Sequence, residues 1–136
     1  MTRDLPVLVV DGTRFSDLDG FAREFSRLLN GYTWRGNLDA LDDILRGGYG
    51  TPEGGWVLRW LGSEQSRAAL GHPETARRLE RLLTSVDPSN RASFETRLAA
   101  ARRGEGPTLF DEIVAIIREH GPGGRDAVDG ILLELV

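Results

Sequence analysis

Trp56-Val57-Leu58-Arg59-Trp60-Leu61 is a short, mostly apolar run set between the glycine-rich stretch Gly47–Gly55 and Ser63. A run of this length bounded by turn signals reads as a buried strand. Two further runs share its character: Leu5–Val10, which ends at the turn signal Asp11-Gly12, and Ile131–Val136 at the other end of the chain. Helical patterns separate the three. Strands that alternate with helices predict an α/β fold built on a small three-stranded parallel sheet packed with helices. Apolar runs without strict alternation suit strands covered on both faces.

Working outward from Trp56, the helices follow from spacing. Downstream, Ser63 opens a short helix through Leu70. Ala76, Leu79, Leu82, Leu83 and Val86 keep helical spacing, Asp87-Pro88-Ser89-Asn90 breaks it, and Phe94, Leu98 and Ala101 mark a weaker amphipathic stretch. Leu109, Phe110, Ile113, Val114, Ile116 and Ile117 share one face of a strong helix that Gly121-Pro122 stops. Upstream, Ser16 is placed to cap a helix with the stripe Phe21, Phe25, Leu28 and Leu29, closed by Asn30-Gly31.

Between that helix and the glycine-rich stretch lies Tyr32-Thr33-Trp34-Arg35-Gly36-Asn37-Leu38-Asp39-Ala40-Leu41-Asp42-Asp43-Ile44-Leu45. It reads as an aromatic loop, then a short helix with Asn37 as N-cap. At 100° per residue Leu38, Leu41, Ile44 and Leu45 fall in one arc, and Asp39, Asp42 and Asp43 in the opposite one. Three negative charges in little more than one turn repel each other, and the helix N-terminus offsets only part of that. Such a face is either simply solvated or made to meet something positive. Of the tryptophans, Trp60 is expected in the core, Trp56 at the rim of the same strand, and Trp34 exposed in its loop.

Composition sets the limits. A chain of 136 residues, 40% hydrophobic and 28% charged, is expected to form one domain with a real core. No cysteine is present, which removes disulfides and thiolate metal sites. The N-terminal residues lack the apolar centre of a secretory signal and no run approaches membrane-spanning length, so a cytoplasmic protein without membrane contact is expected. All 17 basic residues are arginine, and the net charge of −4 is uneven. From Arg67 to Arg103 eight arginines face four acids, a net of +4 inside an acidic body. That balance argues against nucleic acid as the main ligand, although Arg77, Arg78, Arg81, Arg102 and Arg103 could touch phosphates.

Catalytic and metal readings find little. The glycine-rich stretch follows a helix and precedes a strand, the wrong order for a phosphate cradle. His72, in the expected turn Gly71-His72-Pro73, and His120, at a helix end, have no nucleophile or ligand near them in sequence. Asp39, Asp42 and Asp43 could hold a hard cation, but a helix face wraps an ion poorly. No cofactor and no metal are expected, and no enzymatic activity.

Gly36-Asn37-Leu38-Asp39-Ala40-Leu41 with Asp43, then Val57-Leu58-Arg59-Trp60, then Glu64-Gln65-Ser66-Arg67 opening a helix, resemble the barstar family of intracellular inhibitors of barnase-like ribonucleases. The resemblance covers residues 5–67 and about 107–136. It implies a barstar-like domain over residues 1–136 with an extra helical pair at about 73–103, inserted before the last long helix. It further implies a ribonuclease inhibitor or immunity protein that plugs the enzyme's active site with the acidic helix and the loop before it. Asp39 and Asp43 match the family's two inhibitory aspartates. Gly36 and Asn37 match positions that shape the contact loop, and Asp42 stands where the family has an aromatic. Thr33 aligns with a usual tyrosine, flanked by Tyr32 and Trp34, and Gly48 with a usual aromatic, beside Tyr49. Glu119 matches a further acidic contact, or Ile116 under the alternative alignment. The implied partner is a small basic ribonuclease or related toxin. The alternatives are a non-inhibitory interaction module using the same acidic face, or a carboxylate enzyme or metal-binding protein.

Overall fold

The computed structural model describes residues 4–136. Its centre is a sheet of three parallel strands in the order β1 (Val7–Asp11), β2 (Trp56–Leu61) and β3 (Ile131–Leu135). Two helices, α1 (Leu18–Ser26) and α2 (Leu38–Leu45), connect β1 to β2. Four connect β2 to β3: α3 (Ser63–Ala69), α4 (His72–Leu83), α5 (Arg91–Arg102) and α6 (Leu109–Arg118). This is the expected α/β arrangement of a three-stranded parallel sheet packed with helices. The bounds of β2 coincide with the expected run.

The register explains which face is covered. Leu8, Leu58 and Leu133 align across the sheet, as do Val10, Trp60 and Leu135, and these rows point into the core. The alternate rows, Val7–Val57–Leu132 and Val9–Arg59–Glu134, point away from it, with Val7, Val9 and Leu132 exposed. On that side Arg59 Nε donates to Glu134 Oε1 at 2.8 Å. The expectation of cover on both faces is therefore not met. The sheet alternates like a half-solvated one, and apolar residues on the open face hid the alternation.

The core is aromatic. Trp60, fully buried, stacks on Phe21 at 5.0 Å between centroids and lies 5.2 Å from Phe110, so one ring joins β2, α1 and α6. Such pairs add about 0.5–1.5 kcal/mol each beyond the area they bury. Its indole N–H donates to the buried Ser66 Oγ at 2.9 Å, which fixes α3 against the strand. Trp56, the first residue of β2, is just as buried, so this end of the strand is core and not an open rim.

Several ends differ from expectation. The N-cap of α1 is Asp17, which accepts from Gly20 N–H at 2.8 Å, not Ser16. Both residue types cap well, and only the backbone path decides between neighbours. His72 begins α4 instead of sitting in a turn, with Pro73 in the first helical turn where its missing N–H costs nothing. The pair α4–α5 has a small core of its own, Ala76, Leu79, Leu98 and Ala101, flanked by Leu83 and Phe94. Buried polar bonds pin it to the rest. Glu74 accepts from Leu18 N–H at 2.7 Å, and Thr75 Oγ1 accepts from Leu109 N–H at 2.8 Å.

Candidate functional site

The acidic helix forms as its pattern requires. Asn37 takes extended backbone angles, and its side-chain oxygen accepts from Ala40 N–H at 3.1 Å, closing the first turn. Leu38, Leu41, Ile44 and Leu45 are all buried. Before it, Gly36 adopts φ 98° against Leu18, a conformation an L side chain rarely takes. That kink lets the chain turn from α1's flank into α2.

Asp39 and Asp43 are both exposed, one helical turn apart, and so rise about 6 Å along the axis. Asp43 keeps 66% of its side-chain exposure while Arg46 lies 3.1 Å away. An open pair of that kind is worth little and opens readily. Asp39 has no ion pair among the described residues. It lines a cavity of about 330 Å³ with Arg35, Gly36 and Asn37 from the loop and Arg78 and Arg81 from α4. Burial pushes the Arg78 guanidinium below its ordinary value, while the charges of Glu112 and Asp39 pull it back up. The helical pair thus brings positive charge to the edge of the acidic face, which the sequence did not reveal.

Asp42 behaves differently from its neighbour. The helical arc places it with Asp39 and Asp43, yet its side chain is only 30% exposed and turned toward the end of α6. Oδ1 lies 2.8 Å from His120 Nε2, and Oδ2 accepts from Arg46 at 3.0 Å. His120 Nδ1 lies 2.7 Å from Asp129 Oδ2. The sequence reading weighed His120 without partners and did not single out Asp126, Asp129 or Arg46, because the contact that joins the cluster, Asp42 to His120, spans 78 positions. The same cluster holds the donor set best placed for a cation. Ligand atoms of Asp42, His120 and Asp126 lie within 4.8 Å of one another. The Arg46 guanidinium, 3.0 Å from Asp42 and 3.7 Å from Asp126, already serves there as a cation. The trio Asp39, Asp42 and Asp43 makes no ligand set, since two face out and one faces in.

Trp34 corrects the expectation of an exposed aromatic. It is 2% exposed, edge-on to Phe21 and Phe25 at 5.7 Å each. Its indole N–H donates to the Asn37 carbonyl at 2.8 Å, and its backbone N–H to Ser26 Oγ at 2.9 Å. A loop residue buries here because α1 offers a ring-sized gap and the loop carbonyl satisfies the one polar atom. Tyr32 and Tyr49 instead pair edge-to-face at 4.8 Å, with Tyr32 exposed. Glu119 ends α6 and accepts from Arg125 N–H at 3.3 Å. It lines a different groove, beside Arg67, Phe110 and Leu135, in which α2 takes no part.

Among the described residues no helix is long and apolar enough to cross a membrane. The model of the barstar family, described as barnase inhibitor, matches residues 5–112, a span that includes α4 and α5. No curated protein and no solved structure matches the chain.

Proposed function

Because the chain belongs to the barstar family of barnase inhibitors, we propose that it inhibits a small basic ribonuclease, or a related toxin, by lodging α2 and the loop before it in the enzyme's active site. The observation that carries this is the outward display of Asp39 and Asp43 on a helix whose opposite face is locked in the core. Two carboxylates one turn apart on a rigid element can replace two successive phosphates before the cationic groups of a nuclease. They also steer a basic partner into encounter. Gly36 and Asn37 shape the contact loop, and Tyr32 and Tyr49 offer aromatic area beside it. Trp34 and Asp42 act from within, by holding loop and helix. Glu119, on its separate groove, is the weakest member of the proposed contact set.

The chain works as an immunity protein in the cytoplasm of its producer, and catalyses nothing itself. The helical pair is a structural cap in this reading, because buried Glu74 and Thr75 tie it to α1 and α6. The test is titration of small basic microbial ribonucleases, barnase first, with the full chain. Stoichiometric loss of nuclease activity that Asp43→Ala strongly weakens supports the proposal. Inhibition as strong as the parent's in both Asp39→Ala and Asp43→Ala removes it.

A further inference from the structure

His120 is completely buried, and both of its ring nitrogens stand at hydrogen-bond distance from carboxylate oxygens. A neutral imidazole offers one donor and one lone pair, whereas an ionised carboxylate only accepts. Nδ1 faces Asp129 at 2.7 Å and Nε2 faces Asp42 at 2.8 Å. With a neutral ring, one of these contacts would set two lone pairs against each other. With a doubly protonated ring, both become charge-assisted bonds of ordinary length.

The surrounding charges point the same way. Asp42 and Arg46 face the cluster from α2 and its end, and Asp126 and Asp129 from the turn before β3. Arg46 is shared among Asp42, Asp43 and Asp126. Asp126 Oδ2 is buried and makes no hydrogen bond. Three carboxylates therefore share one permanent cation and a fourth, Asp129, meets only the ring, so a second positive charge is called for where the ring sits.

We infer that His120 is a cationic strut, a positioning residue that ties the second turn of α2 to the end of α6 and to the turn before β3, and so holds Asp43 outward. This rests on the proposal that Asp39 and Asp43 meet the partner, but the state of the ring is independent of it. Loss of the Nε2 or Nδ1 proton to water leaves one carboxylate without a donor. If Asp42 is released, it leans on Arg46 and draws that guanidinium away from Asp43. The inhibitory face is then positioned through a residue the partner never touches.

The experiment uses the full chain alone, labelled with ¹⁵N-histidine and ¹³C-aspartate. At pH 7 both ring nitrogens of His120 are expected to show the protonated signature. In His120→Gln the Asp43 carboxyl carbon is expected to shift from its position in the parent chain, and hydrogen-exchange protection of α2 falls about tenfold, as loss of a charge-assisted bond implies. One protonated and one bare ring nitrogen at pH 7 overturns the proposal. So does an Asp43 signal indifferent to His120, or a ring that changes only when Zn²⁺ is added. Should His120→Gln fail to fold, the ring-nitrogen readout on the parent chain still decides. Failure of Asp43→Ala to affect inhibition would sink the functional reading while leaving these spectra unchanged.

Discussion

Helix α2 and the pair α4–α5 both carry dense charge, and they use it in opposite ways. On α2, Asp39 has no ion-pair partner among the described residues, and Asp43 has one weak, open one. From Arg67 to Arg103 every one of the eight arginines has a carboxylate within 4.0 Å. Arg78 and Arg97 meet Glu112, Arg102 meets Glu80, Arg77 meets Glu74 and Arg81 meets Asp19. Arg67, Arg91 and Arg103 pair within their own segments. The segment's net positive charge is answered by acids of α1, α6 and its own helices, and a phosphate backbone would have to displace them to bind there. Charge count alone made the two regions look like two binding surfaces. The pairing distinguishes a surface left unsatisfied from one already spent on the fold.

The comparison breaks most sharply at Asp43. Asp43→Ala should weaken inhibition by about 2 kcal/mol or more, roughly thirtyfold in Kd, while thermal melting stays put or rises as self-repulsion is relieved. Enzyme titration alongside calorimetry checks both halves. A drop in stability with inhibition intact would reverse the roles assigned to the two regions.

Glu74→Ala should do the converse. It leaves the buried Leu18 N–H without an acceptor, which costs about 1–3 kcal/mol. Urea unfolding should show it, with the affinity of the folded fraction kept. Arg102→Ala, which opens an exposed pair with Glu80, should change stability by less than about 1 kcal/mol. It should also leave binding to single-stranded RNA at background in a fluorescence titration. Measurable RNA binding by the parent chain that this variant weakens would reopen the nucleic-acid reading.

The smallest effect lies outside both regions. The Thr13 hydroxyl and backbone N–H hold the Asp11 carboxyl below its ordinary value. A lowered carboxylate contributes stability that is present above its unfolded value and lost as pH falls through its folded one. Thr13→Val should move the Asp11 titration upward toward the usual carboxylate range by carbon NMR, with inhibition unchanged.

The sequence was legible where local physics decides the outcome. The six-residue run of β2, the Asn37 cap and the apolar stripe of α2 all depend on residues within a few positions of each other. Trp34 was misread because a loop aromatic buries only when another element, here α1, supplies a slot. The open face of the sheet was hidden because Val7, Val9 and Leu132 are apolar although solvated. The pairing of His120 was invisible because its partners lie 9 and 78 positions away. Asp42 was grouped with its exposed neighbours because helical angle says nothing about what stands opposite.

The burial of Trp34, Trp56 and Trp60, none more than 2% exposed, has an optical consequence. Tryptophan emission from this chain arises from shielded indoles, so it reports unfolding far more strongly than docking. A label meant to sense complex formation must be placed near the Tyr32–Tyr49 pair instead.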